Sequence, residues 1–280
     1  MSFSKVMIVI GGLLVAAGCV YLLSGFVFYR AIYHFNQNTE TPAQLGLPGV
    51  GVAHIISEDG APIDVWIKRP EKGAPVILYF MGSDTSIGPS AERLTPFLDK
   101  GLGMAALVYR GSSGAGGTPS EDAFAADARA VYDQLDAMMG EDIPPARRVV
   151  HGYSLGTGVA THLAADRAVA ALVLEAAYPR FCRYFTDHFF NLPFCYIMYR
   201  ERYDSIDRIA NINAALLMLH GEKDTTLNID SARELFAAAK EPKRFIAYKD
   251  GTHVNLGRSG LVADTLVFYG QVVPGDWSKP

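Results

Sequence analysis

From residue 51 onward the chain alternates short apolar runs with stretches whose apolar residues recur at helical spacing. The runs at 75–80, 104–109, 148–150, 171–174, 215–219 and 245–248 show no apolar–polar alternation. A strand of that kind has both faces covered, as a parallel strand between two helical layers does. Runs at 52–56 and 63–67 flank Glu58-Asp59-Gly60 and predict a β-hairpin ahead of them. Helices fit between the strands. Thr118-Pro119-Ser120-Glu121 reads as a helix start in which Thr118 caps, Pro119 takes the first helical position and Glu121 completes a capping box. Phe124, Ala128, Val131, Leu135 and Met138 then form one apolar face. Residues 230–239 and 262–269 are further helix candidates. The fold class expected is α/β, a mostly parallel sheet flanked by helices. In such sheets ligands bind beyond the carboxyl ends of the strands.

Ahead of this pattern, residues 6–29 hold 24 positions without a charged side chain, with Lys5 before them and Arg30 after. As a helix at 1.5 Å per residue, such a run exceeds the roughly 30 Å of a bilayer core. Tyr21, Phe26, Phe28, Tyr29 and Tyr33 crowd its second end like an interfacial aromatic belt. Residues 1–35 are therefore expected to be a transmembrane anchor, single-pass, and 36–280 one domain. Ala16-Ala17-Gly18-Cys19 resembles a lipoprotein processing box, but the apolar run continues for ten positions beyond it. The α-amine and Lys5 against Arg30 favour an amino terminus inside, with the remaining chain outside the cytoplasm. Residues 35–51 are polar, with Thr, Pro and Gly, and read as a linker or wrapping segment.

Composition removes several function classes. Twenty-five Lys plus Arg against 29 Asp plus Glu gives a formal charge of −4, so no nucleic-acid partner is expected. Three cysteines are too few for a disulfide scaffold or an all-cysteine zinc site. Gly114-Ala115-Gly116-Gly117 lacks the lysine of a phosphate loop, and no His/Cys cluster has ligand spacing. No metal and no cofactor are expected.

Gly152-Tyr153-Ser154-Leu155-Gly156 matches G-x-S-x-G, a weak pattern in a glycine-rich chain. Its context matters more: a strand candidate runs into it and a helix-compatible stretch follows. A sharp strand-to-helix turn that exposes a serine needs small neighbours, which Gly152 and Gly156 supply. A serine hydroxyl needs a base. His220-Gly221-Glu222-Lys223-Asp224 follows one strand and Asp250-Gly251-Thr252-His253 the next, giving the order Ser, Asp, His. His253 would take the Ser154 proton and Asp224 would orient its imidazole. Glu222 and Asp250 are rivals to Asp224, while His220 and His151 are read as structural.

These residues, with their order and spacing, resemble the α/β-hydrolase superfamily. The likeness is closer to the branch of membrane-anchored α/β-hydrolase-domain proteins with an N-terminal apolar helix, which includes depalmitoylating thioesterases. It rests on Tyr79-Phe80-Met81-Gly82, on Tyr109-Arg110-Gly111 running to Gly117-Thr118-Pro119-Ser120-Glu121, on the Ser154 motif, and on the Asp224 and His253 segments. Arg202-Tyr203-Asp204-Ser205-Ile206 adds to it. The resemblance implies an oxyanion hole from the Ser83 and Leu155 backbone N–H groups. Relatives usually carry His, Gly and Asn where this chain has Met81-Gly82-Ser83-Asp84, a departure that bears on the support of that loop. It also implies a lid at about 178–208. Residues 178–203 hold ten aromatics in 26 positions, which suits an acyl chain or the membrane surface. Cys182 and Cys195 lie there and could pair outside the cytoplasm.

The expected function is a membrane-anchored serine hydrolase that cleaves an ester, thioester or amide through an acyl-enzyme, with a small-molecule or acyl substrate. Two alternatives stand beside it: a non-catalytic hydrolase-fold protein binding an apolar ligand or partner, favoured by Met81, and a peptidase of the same fold.

Overall fold

The computed structural model describes residues 3–188, 192 and 194–275. Helix α1 (Phe3–Ile32) is followed by the hairpin strands β1 (Gly51–Ile56) and β2 (Pro62–Lys68). Next come β3 (Val76–Phe80), α2 (Ile87–Leu98), β4 (Gly103–Leu107), α3 (Glu121–Asp133) and the short α4 (Leu135–Met139). The central part is β5 (Arg148–Tyr153), α5 (Leu155–Asp166) and β6 (Ala171–Glu175). Three short helices follow: α6 (Cys182–His188), α7 (Phe194–Ile197) and α8 (Ser205–Ile209). The chain closes with β7 (Ala215–Gly221), α9 (Ile229–Ala238), β8 (Lys243–Tyr248) and α10 (Leu261–Val272).

The eight strands form one sheet in the order β1-β2-β4-β3-β5-β6-β7-β8. β2 is antiparallel to both β1 and β4, and the pairs from β4 to β8 are parallel. Every residue of β3, β4, β5, β6 and β7 is buried, which is why those segments read as unbroken apolar runs. The chain leaves β3 for β4 on one side and returns to β5 on the other. The order therefore reverses at β3, and a crevice opens at the carboxyl ends of β3 and β5.

Two local expectations shift. The start of α3 is capped by Ser120, whose hydroxyl accepts the Ala123 N–H at 3.0 Å, not by Thr118. Pro119 thus lies outside the helix. Glu121 does not close a capping box: its carboxylate accepts the N–H groups of Arg202 and Tyr203, each at 2.9 Å. The apolar face is also split, with Leu135 and Met138 falling in α4 beyond a break at Gln134.

The segment after α1 wraps the domain. Phe35 and Leu47 are buried in the core, the Asn36 N–H donates to the Thr85 carbonyl, and the Ser113 N–H donates back to the Asn36 carbonyl. The carboxyl end of α1 joins the same core through Phe28 and Ile32. The membrane-spanning anchor expected over residues 6–29 is not shown by the described residues. Many side chains of that stretch, including those of Ala16, Ala17 and Cys19, lie outside the described ones. Among the described residues no helix is long and apolar enough to cross a membrane.

Candidate active site

The turn after β5 places Ser154 at φ 52° and ψ −120°, between the end of the strand and the first residue of α5. That strained conformation is held on three sides. The Ser154 N–H donates to the Glu175 carbonyl at 2.9 Å, while the Thr157 N–H (2.9 Å) and hydroxyl (2.7 Å) both donate to the Ser154 carbonyl. The two glycines of the motif are required by close approach. A Cβ on Gly152 would lie 2.4 Å from the Gly156 carbonyl oxygen, and one on Gly156 would lie 2.0 Å from the Phe80 oxygen. Gly156 thereby lets the loop after β3 lie directly against the turn.

Two further loops complete the arrangement. Asp224 follows β7, and its Oδ1 accepts the N–H groups of Thr226 and Leu227, each at 2.8 Å. His253 follows β8. The loops touch so closely that a Cβ on Gly221 would stand 2.3 Å from the Gly251 oxygen. His253 Nδ1–H donates to Asp224 Oδ2 at 2.8 Å, and the Ser154 hydroxyl donates to His253 Nε2 at 2.9 Å. A carboxylate only accepts, so the Asp224 contact sets the imidazole tautomer that leaves Nε2 free to accept. Ser154 is 8% exposed, His253 is 7% exposed and the Asp224 side chain is sealed. Burial alone would push the Asp224 carboxyl up. The hydrogen bond from His253 and the Leu227 amide outweigh burial and hold it below the usual carboxylate range.

Ser154, Asp224 and His253, three residues distant in sequence, thus form one hydrogen-bonded line. The rivals do not join it: Asp250 pairs with Lys223 at the surface at 2.6 Å, and Glu222 is exposed. His220 is buried, which holds its imidazole below the usual histidine range. The neutral ring donates from Nε2 to the Leu227 carbonyl at 2.8 Å, bracing the Asp224 loop. His151 is buried in β5 between Tyr79 and Phe97.

Ser83 lies in the loop after β3 and lines the same cavity as Ser154. Leu155 is the first residue of α5, where an N–H has no partner within its own helix. Met81 is fully buried in the core, so the departure at this position adds apolar packing beneath the loop.

The cavity over Ser154 measures about 140 Å³. Phe181, Tyr184, Leu227 and Val254 line it, together with Ala31 near the end of α1 and His34 just beyond it. Cys182 and Cys195 form a disulfide, with their Cα atoms 5.0 Å apart, that ties α6 to the segment carrying α7. Phe28 packs on Phe185 at 4.9 Å and on Phe194 at 5.7 Å between ring centroids, so α1 and the lid form one unit. A larger cleft of about 480 Å³, lined by Arg93, Phe97, His151 and Glu175, lies behind the His253 loop and meets the first at Val254.

Sequence reasoning did not find Ala31, His34, Tyr153 or Arg93. Tyr153 had a weak signal as a variable position of the serine motif. The others carried none, because their place depends on contacts distant in sequence.

A doubly flanked, mostly parallel sheet with a strained serine between β5 and α5 defines an α/β-hydrolase type of protein. No protein-family model matches the chain. An uncharacterized protein of Mycobacterium tuberculosis is 32% identical over 78% of this chain and 77% of its own length. The α/β-hydrolase domain-containing protein WAV2 of Arabidopsis thaliana is 29% identical, covering 79% of this chain and 77% of that one. The lysophosphatidylserine lipase ABHD12 of Danio rerio is 27% identical, covering 71% of this chain and 58% of that one. Among solved structures, an esterase of Pyrococcus furiosus superposes with a TM-score of 0.68 at 17% identity, over 86% of this chain and 99% of its own. The acylaminoacyl peptidase of Pyrococcus horikoshii superposes with a TM-score of 0.65 at 17% identity, over 80% of this chain and 41% of its own. The chain belongs to the α/β-hydrolase superfamily.

Proposed function

We propose that the protein is a serine hydrolase that cleaves an ester or thioester by acyl transfer. The carrying observation is the line from Asp224 through His253 to Ser154, at 2.8 and 2.9 Å. Ser154 attacks the acyl carbon as its proton passes to His253 Nε2. The imidazolium that forms is stabilised by Asp224, and its proton then goes to the leaving group. The tetrahedral oxyanion is met by the Ser83 and Leu155 amides, donors of a kind worth about 10² to 10³ in turnover each. Water, activated by His253 in turn, releases the acyl group.

The cavity walls favour an acyl group. Phe181, Tyr184, Leu227 and Val254 offer apolar surface in the cavity that Ser154 lines. The relative named as a lysophosphatidylserine lipase supports a lipid-like ester, although this chain spans 58% of that protein. We extend the proposal to the surroundings of the site. The uncharged run at 6–29, up to the point where Phe28 enters the domain, anchors the chain in a membrane, and the Cys182–Cys195 disulfide favours a catalytic domain outside the reducing cytoplasm.

The test is labelling of membranes with a fluorophosphonate probe, comparing wild type with Ser154→Ala. Labelling that vanishes in the variant is the expected result. A folded wild type that takes no label overturns the proposal in favour of a binding protein. A panel of dipeptide amides beside p-nitrophenyl esters separates peptidase from esterase, and faster turnover of the amides would reassign the substrate.

A further inference from the structure

The nucleophile and the base stand on loops from different strands, and the 2.9 Å contact between them depends on how the His253 loop is held. That loop is exposed on its outer side, where Val254 is 61% accessible. Its inner side rests on Tyr153, the residue immediately before Ser154. The Tyr153 hydroxyl donates to the His253 carbonyl at 3.2 Å, and its ring lies 5.4 Å from the imidazole between centroids. The same ring touches the oxyanion loop, since a Cβ on Gly82 would come within 3.0 Å of it. One buried side chain therefore meets the strand of the nucleophile, the loop of Ser83 and the loop of the base.

Something holds the ring in turn. The Arg93 guanidinium, from α2, lies over the Tyr153 ring at 4.4 Å from its centroid, in cation–π geometry. Arg93 is ion-paired with Glu175, whose side chain is 2% exposed. Glu175 is also the residue whose carbonyl accepts the Ser154 N–H at 2.9 Å. With Glu175 sealed and Arg93 half-buried, the pair is a poor source of stability, because desolvating the carboxylate offsets much of the attraction. What this one supplies is geometry: a flat cation fixed over a ring that also lies beside the base.

Resting on the hydrolase reading above, we propose that Tyr153, backed by the Arg93–Glu175 pair, is a positioning residue that sets His253 against both Ser154 and the oxyanion loop. Tyr153 touches no reacting atom and acts through His253. Acylation and deacylation both depend on it, because each needs His253 as proton acceptor and the oxyanion donors placed together.

The experiment measures two quantities on purified full-length protein: the number of sites that react with a fluorophosphonate, and the rate constant of that reaction per site. A merely structural role lowers the number of sites, whereas a positioning role lowers the rate constant at full site number. Tyr153→Phe removes one neutral hydrogen bond, and the rate constant and kcat for p-nitrophenyl butyrate should fall about five-fold. Arg93→Lys keeps a charge for Glu175 but loses the flat contact, and should fall by a similar factor. In the double variant the combined loss should be smaller than the product of the two single losses, because both act through one ring. Tyr153→Leu, which removes the ring, should lose about 100-fold or more, the scale of a 1 Å misplacement. KM should stay within about two-fold throughout, as expected when an interaction acts in the transition state rather than in ground-state binding. A Tyr153→Leu protein with full site number and an unchanged rate constant overturns the proposal, and so does a loss confined to KM. A folded wild type that reacts with no probe at all removes the hydrolase reading, and the proposal with it.

Discussion

Replacing Asp224 with asparagine separates charge from tautomer at the centre of the site. The two carboxylate oxygens have different duties. Oδ1 accepts two backbone N–H groups at 2.8 Å each, and Oδ2 accepts His253 Nδ1–H at 2.8 Å. Asparagine must keep its carbonyl oxygen on the backbone pair, since an NH₂ turned there would face two donors. The NH₂ then points at His253 and donates to Nδ1, so the ring proton moves to Nε2. At the 2.9 Å contact with Ser154 the ring now donates and can no longer accept. The expected loss in kcat is about 10⁴-fold, or about 5 kcal/mol of transition-state stabilisation. Folding should suffer far less. Two amide bonds pass from a charged to a neutral acceptor, a change on the order of 1 kcal/mol. The assay is p-nitrophenyl butyrate hydrolysis beside thermal unfolding, with Ser154→Ala as the floor. A folded Asp224→Asn protein whose kcat lies within about ten-fold of wild type would refute the tautomer reasoning.

Three other outcomes follow from the described contacts. Burial raises the Glu121 carboxyl above its usual value, against the opposing pull of the Tyr203 and Arg202 amides. The folded state therefore holds this proton more tightly than the unfolded chain, and the resulting penalty is absent at low pH and grows as pH rises through the raised value. Glu121→Gln, whose amide oxygen can accept both N–H groups, should raise Tm at pH 7 and lose that gain near pH 4; a pH-independent difference would contradict this. Gly156→Ala drives a Cβ to 2.0 Å from the Phe80 oxygen and 2.7 Å from the Met81 oxygen, both backbone atoms. It should cost about 3 kcal/mol in chemical denaturation and displace the oxyanion loop, so a stable, fully active variant would show that the turn has slack. Reducing Cys182–Cys195, which closes a separation of 13 residues, should cost up to about 3 kcal/mol. Limited proteolysis should then cut residues 183–194 faster than the sheet domain, and equal rates with and without reductant would count against a stapled lid.

Strands β3 to β7 were legible because burial on both faces leaves an unbroken apolar signature, and each expected run lies in or beside an observed strand. Helix α2 was not. Gly88, Pro89 and Pro96 interrupt its pattern, and its helical state is supported by the burial of Ile87, Leu94, Phe97 and Leu98 against the sheet. The α3 start was misplaced by two residues for a related reason: Thr118 and Ser120 are both plausible caps, and tertiary contacts of Glu121 decide between them. The Ser154, Asp224 and His253 positions could be read because each ends a strand in a turn with a fixed chain order. Arg93 and Tyr153 could not be paired, since a separation of 60 residues, about the length of a βαβ unit or two, lies between them. Nothing periodic links a helix residue to a strand end across that distance. The wall of the cavity supplied by Ala31 and His34 was hidden in the same way, because residues 1–35 had been set apart from the domain.

That wall has a practical meaning. A fragment made by trimming the apolar helix would shed Ala31 together with the buried Phe28 and Ile32, while leaving Ser154, Asp224 and His253 in place. Such a fragment would keep its reagents and lose its gauge. Its turnover of small activated esters would say little about what the whole chain selects, because the aperture through which a substrate is measured is cut partly from the very segment removed.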